Sequence, residues 1–169
     1  SNTLDTERLI AIGRSVAPAR FAPAGELLEE QAPLGAAPFA LLYVGRLYPA
    51  KRVDLLIRTV RLLTGKGRDV RATILGDGHS RAALEKLAAD APNIRFLGAE
   101  YDEARLARHF AEADLFFLPD AVGLGVIHSF ANGVPILTAR HGKAHGPEVD
   151  YIVDGENGLL TDEPDPAAF

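Results

Sequence analysis

Two cationic side chains lie on one short segment that follows an apolar run. Phe39–Val44 (FALLYV) has the length and composition of a buried strand, Gly45 ends it, and Arg46 and Lys51 follow in GRLYPAKR, where a helical pattern begins. Arginine holds an anion through paired N–H groups, and lysine holds it as a point charge. A lone surface cation is usually only solvated. Two cations on one strand-to-helix turn favour an anion-binding site instead.

A second candidate site lies in Leu115–Pro135 (LFFLPDAVGLGVIHSFANGVP). A short apolar run ends at Pro119 and Asp120, and Gly123 and Gly125 then bracket the start of a helix. The free backbone N–H groups and the positive dipole end of such a start suit a phosphate. Two glycines fit an ordinary crossover helix equally well, so the sequence does not decide between a phosphate-binding helix start and a plain turn.

Glu148 is a third candidate, in the segment HGPEVDYIVDGENGLL. Its carboxylate follows Gly146 and Pro147, where it can face the hydroxyl groups of a ligand or cap the short helix that follows. Spacing alone does not separate these two roles.

Three histidines complete the set of candidate groups. His128 lies one helical turn beyond the helix start, and His141 and His145 share the loop HGKAH. Their i, i+4 spacing suits a metal ion only on a helix, and Gly142 and Gly146 argue against a helix there. No metal site is therefore predicted.

Alternating strands and helices must position these residues. Apolar residues from Val53 to Leu63 recur at helical spacing and form one buried stripe. A possible first strand covers Leu9–Ile12, a helical turn is predicted near Glu26–Glu30, and Asp102 is a predicted helix N-cap. Strands are predicted at Phe39–Val44, Val70–Leu75, Ile94–Leu97, Leu115–Leu118, Val134–Leu137 and Gly158–Leu160, and helices at Arg81–Ala89 and after Asp102. This order predicts the α/β class, with a Rossmann-like parallel sheet covered by helices on both faces.

Glycine recurs where the predicted strands end. Ligands of open parallel sheets bind beyond the carboxyl ends of the strands, and glycines there leave room for a ligand against the backbone. Plain turn formation explains any one of these glycines but explains the whole set less well. The set is Gly45, Gly76, Gly78, Gly98, Gly123 and Gly125.

Bulk composition excludes several classes of protein. The 169 residues suit one domain, and the 47% hydrophobic content argues against global disorder. A net charge of −5 gives no support to nucleic-acid binding, and the absence of cysteine excludes disulfides and thiolate metal sites. No apolar run approaches the roughly 20 residues of a membrane-spanning helix. Because Asp162–Phe169 breaks off where another helix could begin, the chain is expected to be a fragment of a longer protein.

From about Ile10 to Leu160 the chain resembles the C-terminal domain of retaining glycosyltransferases of the GT-B fold, in glycosyltransferase family 4 (glycosyl transferases group 1). GRLYPAKRVDLLI resembles the arginine–lysine motif of that family, ATILGDG its glycine turn, and NIRFLG the strand that leads to its base-binding loop. ADLFFLPDAVGLGVIHSFANGVPIL resembles its carboxylate-bearing segment, and GPEVDYIVDGENGLL its closing motif. Together these motifs are specific.

The resemblance implies roles for individual residues. Arg46 and Lys51 match the cations that bind the donor diphosphate and offset charge on the departing nucleotide, so they are the predicted catalytic residues. Asp120 and His128 stand where the family has two glutamates, one for the sugar and one for the ribose. Histidine can bond a ribose hydroxyl but has no fixed negative charge. The predicted donor-binding residues are Gly45, Gly76, Gly78, Leu97, Asp120, Gly123, Leu124, Gly125, Val126, His128 and Glu148.

The resemblance also implies the reaction and the partners. A nucleotide-diphospho-sugar is the expected substrate, with no cofactor and no metal, and a separate N-terminal acceptor domain is the expected partner. The expected setting is glycan or polysaccharide biosynthesis in the cytoplasm, at the membrane periphery if the missing domain attaches there. Isolated, this chain is expected to be inactive. The alternatives are a non-catalytic nucleotide-sugar-binding domain and, less favoured, a nucleotide-sugar epimerase or a phosphorylase of similar architecture.

Overall fold

The computed structural model describes residues 37–169, so the predictions for Leu9–Ile12 and Glu26–Glu30 lie outside the described part of the chain. No helix within the described residues is both long and apolar enough to cross a bilayer. The strands are β1 (Phe39–Val44), β2 (Val70–Leu75), β3 (Ile94–Gly98), β4 (Leu115–Phe117), β5 (Ile136–Ala139) and β6 (Gly158–Thr161). The α-helices are α1 (Val53–Gly65), α2 (Arg81–Leu87), α3 (Glu103–Ala111) and α4 (Gly125–Ala131), and Pro49–Lys51 and Pro147–Tyr151 are 3-10 helices.

The six strands form one sheet in the order β3-β2-β1-β4-β5-β6, and every neighbouring pair is parallel. The predicted α/β, Rossmann-like fold class is thereby confirmed. Among the strands the largest boundary error concerns β5, which was predicted at Val134–Leu137 and begins two residues later, and the helix predicted at Arg81–Ala89 ends at Leu87. Pro135 has no N–H, so the first β5 amide to bond is that of Ile136, which donates to the Asn157 carbonyl at 3.2 Å.

Local sequence explains how α1 and α3 form. The predicted apolar stripe of α1 is buried from Val53 to Val60, which confirms the face assigned to it. Asp102 caps α3 as predicted, because its carboxylate accepts a hydrogen bond from the Arg105 amide at 2.8 Å. Both helices are thus specified by residues within or next to them.

Strand β4 is anchored on both sides by aromatic packing. Leu115, Phe116 and Phe117 are fully buried. The ring centroid of Phe116 lies 5.2 Å from that of Phe110 on α3, and the ring centroid of Phe117 lies 4.7 Å from that of Phe169. Such aromatic pairs add to the free energy gained from area burial. The loop that leaves β4 therefore starts from a well-packed strand.

The sheet grows from β1 in two directions. The chain places β2 and β3 on one side of β1 and then returns to place β4 on the other side. At this topological switch point the loops that follow β1 and β4 diverge and leave a crevice, which is where open α/β sheets bind ligands. Right-handed crossovers put α1 and α2 on one face and α3 and α4 on the other. The exits of β1 and β4 therefore define the candidate site.

Gly76 and Gly78, in the loop after β2, allow the backbone of that loop to contact the backbone of the loop after β1. Gly76 has φ of 150°, and a β-carbon built on it would overlap the Gly45 carbonyl oxygen. A β-carbon on Gly78 would lie 2.6 Å from the Leu47 carbonyl oxygen. The Leu47 amide donates to the Asp77 carbonyl at 2.9 Å, so the contact is also a hydrogen-bonded one. Loop packing thus explains both glycines, and their contact with a donor stays a prediction.

We expect Gly76→Ala to lower the free energy of unfolding by about 3 kcal/mol or more, because the new methyl group overlaps backbone and the conformation disfavours a side chain. Gly65→Ala is the matched control. Gly65 ends α1 with open space around its α-carbon, so alanine there should raise stability by up to about 1 kcal/mol. Urea unfolding of both variants measures the difference. Equal stability of Gly76→Ala and the wild type would contradict the close approach.

Candidate functional site

A hydrogen bond from a buried tyrosine stabilises the loop after β1. Tyr43 is 1% exposed, and its hydroxyl donates to the Arg46 carbonyl at 2.9 Å. Burial raises the pKa of the Tyr43 phenol well above its usual value. A β-carbon on Gly45 would lie 2.9 Å from that hydroxyl oxygen, so glycine is needed for the loop to lie over the ring. The backbone of Arg46 is therefore fixed while its side chain is exposed to solvent.

Lys51 connects the two strands that flank the switch point. It ends the 3-10 helix Pro49–Lys51, is half-buried, and its Nζ donates to the Ala121 carbonyl at 2.5 Å. Ala121 follows β4, so this hydrogen bond spans the crevice between the exits of β1 and β4. An ammonium group has three donors, and no other described residue accepts from this one. Two N–H groups of Lys51 therefore remain for a ligand.

Two carboxylates share the electrostatic environment of Lys51. Burial lowers the pKa of Lys51, and the negative charges of Asp120 and Glu148 oppose that shift. The structure thus brings Lys51, Asp120 and Glu148 together, although the sequence separates them by up to about a hundred residues. The resulting cluster has one cation and two anions, and Arg46 adds a second positive charge from the same loop as Lys51.

Asp120 shapes the turn after β4. It is 4% exposed, its Oδ1 accepts from the Ala121 amide at 2.6 Å, and its Oδ2 accepts from the Lys143 amide at 3.4 Å. Ala121 itself has φ of 52°, a left-handed conformation that is uncommon for a residue other than glycine. Both carboxylate oxygens therefore already accept hydrogen bonds from backbone amides. This leaves Asp120 less acceptor capacity for the sugar contact predicted for it.

The glycine turn leads into α4 as expected. The amides of Val126 and Ile127 donate to the carbonyls of Gly123 and Leu124, each at 3.0 Å. Those of Gly123, Leu124 and Gly125 bond to no other residue within 37–169. Among the amides of the predicted donor-binding residues 123–126, that of Val126 is thus already paired within the chain. A β-carbon on Gly125 would lie 3.1 Å from the Phe116 ring, a tight contact that a small shift of the ring would have to relieve.

Glu148 is placed by the 3-10 helix Pro147–Tyr151. The residue lies inside this helix, which has no side-chain cap at Gly146, so the capping role considered for Glu148 is wrong. Its carboxylate is half-buried and interacts with the charge of Lys51. Contact between this carboxylate and the hydroxyl groups of a ligand stays a prediction.

His128 and Leu97 lie at the margins of this cluster. His128 is exposed on α4, and its carbonyl accepts from the Asn132 side chain at 2.8 Å while its ring is free to contact a ligand. Leu97 is 42% exposed on β3, two strands away from β1. The structure therefore does not bring Leu97 into the lysine–carboxylate cluster.

Sequence reasoning missed the role of His145. Its Nδ1 accepts from the Val122 amide at 3.1 Å, and its Nε2 lies 2.8 Å from the Ala139 carbonyl oxygen. The ring was considered only as a metal ligand, but both nitrogens are occupied by backbone groups. No local pattern signals such a pairing, because Val122, in the loop after β4, and Ala139, at the end of β5, meet this loop only in the folded sheet.

Comparisons of sequence identify the relatives of this chain. Residues 38–169 match the family model described as glycosyl transferases group 1. The chain is 33% identical over 163 positions to the GDP-mannose-dependent alpha-(1-6)-phosphatidylinositol monomannoside mannosyltransferase of Mycolicibacterium smegmatis, covering 86% of this chain and 41% of that protein. It is 32% identical over 182 positions to the D-inositol 3-phosphate glycosyltransferase of Streptomyces scabiei, covering 98% and 40%. The chain thus spans about two-fifths of these curated relatives.

Solved structures share the fold. WaaG, a glycosyltransferase involved in lipopolysaccharide biosynthesis, matches with a TM-score of 0.60 and 26% identity over 75% of this chain and 34% of that one. Anabaena Alr3699/HepE, solved with UDP and glucose, matches with a TM-score of 0.62 and 19% identity over 96% and 41%. The C-terminal domain of LpcC, a glycosyl transferase group 1 family protein of Francisella tularensis, matches with a TM-score of 0.61 and 21% identity over 77% and 71%.

We expect Glu148→Gln to lower the pKa of Lys51 further, because the substitution removes a negative charge that stabilises the protonated amine. The chain has four lysines, so the side-chain NMR signal of Lys51 can be assigned and followed against pH. Asp150→Asn is the matched control, since Asp150 is exposed on the same 3-10 helix. An unchanged Lys51 titration in Glu148→Gln would show that the two groups do not interact.

Proposed function

Because the chain belongs to the glycosyl transferases group 1 family, we propose that it is a donor-binding domain that holds a nucleotide-diphospho-sugar for transfer to an acceptor. The observation that carries this proposal is the Lys51 ammonium, held across the switch point by the Ala121 carbonyl with two N–H groups free. A cation anchored at the carboxyl edge of a parallel sheet suits a diphosphate. Arg46, exposed on the same loop, supplies the second charge.

These two cations have a direct role in the proposed transfer. Negative charge develops on the departing nucleoside diphosphate as the bond between the sugar carbon and the phosphate oxygen breaks. Arg46 and Lys51 stabilise that charge, and such preorganised stabilisation is commonly the largest single catalytic contribution. Because the protein supplies this positive charge itself, transfer proceeds without a metal ion. The family resemblance implies that the sugar is transferred with retention of configuration.

The donor sugar and ribose face the remaining groups. Asp120 and Glu148 come from the loops after β4 and β5 and lie near enough to Lys51 for their negative charges to act on it; a carboxylate there accepts hydrogen bonds from sugar hydroxyls. His128 on α4 bonds the ribose. A GDP-mannose donor is named for the Mycolicibacterium relative, and HepE was solved with UDP and glucose. We therefore propose a nucleoside diphosphate hexose as the donor class, with guanine and uracil as the bases to test.

The whole protein is proposed to contain an N-terminal acceptor domain. The chain spans about two-fifths of its curated relatives, and the predicted site opens at one edge of the sheet, where a second domain can close it. We propose cytoplasmic glycan or polysaccharide biosynthesis as the setting, with any membrane attachment made by that other domain. The isolated chain then binds the donor without transferring the sugar.

A second candidate function is nucleotide-sugar binding without catalysis. One observation favours it: both oxygens of Asp120 accept hydrogen bonds from backbone amides, so this carboxylate is less available to a sugar than an unpartnered one. His128, in place of a glutamate, adds no negative charge. In this alternative the cations still bind the diphosphate, and binding measurements on the chain are therefore the first test of both candidates.

We expect this chain to bind GDP or UDP in the presence of EDTA. Arg46→Ala and Lys51→Ala should each weaken diphosphate binding by roughly 1–3 kcal/mol and affect nucleoside binding less, because a charge-assisted contact to phosphate is lost. Calorimetric titration measures both. Arg58→Ala, an exposed site in the middle of α1, is the control. Binding that requires magnesium, or equal losses for nucleoside and diphosphate, would contradict the role of the two cations.

For His128 we expect alanine to weaken nucleotide binding by about 1 kcal/mol, the usual net value of one hydrogen bond. His128→Glu should bind as well as the wild type or better, since a carboxylate can accept from two ribose hydroxyls. Deoxyribonucleotides should show a smaller effect of the same substitutions. If both variants bind ribonucleotides unchanged, His128 has no contact with the ribose.

A further inference from the structure

We propose that His145 is a positioning residue that holds the Ala121 carbonyl in place and, through it, the Lys51 ammonium. This inference rests on the proposed diphosphate-binding function of Lys51 and extends it to a residue that contacts no ligand. Its basis is a continuous chain of contacts: from the imidazole to the Val122 amide, along the backbone to the Ala121 carbonyl, and from that oxygen to Lys51.

The hydrogen bonds of the ring determine its tautomer. Nδ1 accepts from the Val122 amide at 3.1 Å, so this nitrogen carries no proton. Nε2 lies 2.8 Å from the Ala139 carbonyl oxygen, an acceptor, so Nε2 carries the proton and donates it. His145 is therefore a neutral imidazole that ties the loop after β4 to the end of β5. A metal ion could bind this ring only by displacing one of these backbone partners.

The surrounding chain is shaped to accept this ring. A β-carbon on Gly142 would overlap both the His145 ring and the Asp120 carboxylate, so only glycine leaves room for the two side by side. The Gly146 amide donates to the Val122 carbonyl at 2.7 Å. Val122 is thus held through its N–H by His145 and through its C=O by Gly146. Both partners come from the loop between β5 and the 3-10 helix Pro147–Tyr151.

Ala121 needs this support because its conformation is unfavourable. A left-handed φ at a residue with a side chain persists only where neighbouring contacts impose it. Asp120 bonds the Ala121 amide from one side, and His145 bonds the next amide from the other. Loss of the His145 bond removes one of these constraints. The Ala121 carbonyl can then rotate away, and Lys51 loses the acceptor that holds it across the crevice.

Two substitutions separate the hydrogen bonds of the ring. His145→Asn keeps an acceptor at the position of Nδ1, whereas His145→Gln keeps a donor at the position of Nε2. If the bond to Val122 is the one that matters, His145→Gln should weaken GDP and UDP binding about three- to tenfold, and His145→Asn at most about twofold. Guanosine and uridine should bind all variants alike. His141→Asn, exposed on the same loop, is the control.

The path through Lys51 has its own test. In a Lys51→Ala background, His145→Gln should cause less than about a twofold further loss of diphosphate affinity, because residues acting through one contact are not additive. In the ligand-free chain, His145→Gln should raise the pKa of Lys51 as its amine is released into water, with Lys66, Lys86 and Lys143 unchanged by NMR. Additive losses, or an unchanged Lys51 titration, would overturn the positioning role. Absence of diphosphate binding in the wild type would instead overturn the proposed function, and the titration still tests His145.

Discussion

The hydrogen bond from Lys51 to the Ala121 carbonyl is the contact on which the candidate site depends. Parallel strands that lie side by side at a switch point send their loops in opposite directions, and within residues 37–169 this hydrogen bond joins the exits of β1 and β4. Lysine is long enough to span that gap and brings a charge into it. Burial lowers the pKa of Lys51, because the protonated amine has lost part of its hydration. Attraction to an anionic ligand can offset this loss of hydration free energy.

Backbone contacts hold the rest of the site around this hydrogen bond. The hydroxyl of Tyr43 fixes the Arg46 carbonyl, and Asp120 and His145 fix the turn that presents Ala121. In each case a side chain bonds to a backbone group, which orders a loop without introducing another mobile side chain. Such supporting contacts are what keep a binding site at its productive geometry before the ligand arrives.

The alternation of strands and helices, visible as apolar periodicity, predicted the fold class, and the positions of Arg46 and Lys51 after a strand predicted the cationic loop. Other features could not be predicted, because they depend on which loops meet in three dimensions. The pairing of His145 with Val122 and Ala139 is one of them. The close approach of the Gly45 and Leu47 backbone to Gly76 and Gly78 is another, because it depends on two loops that meet only in the folded sheet.

The most direct test is a crystal structure of this chain with bound GDP or UDP. The diphosphate is expected to lie at the carboxyl edge between β1 and β4, with oxygens within hydrogen-bond distance of the Arg46 guanidinium and the Lys51 ammonium. Lys51 should keep its bond to the Ala121 carbonyl in that complex. A diphosphate bound elsewhere, with neither cation in contact, would contradict the account.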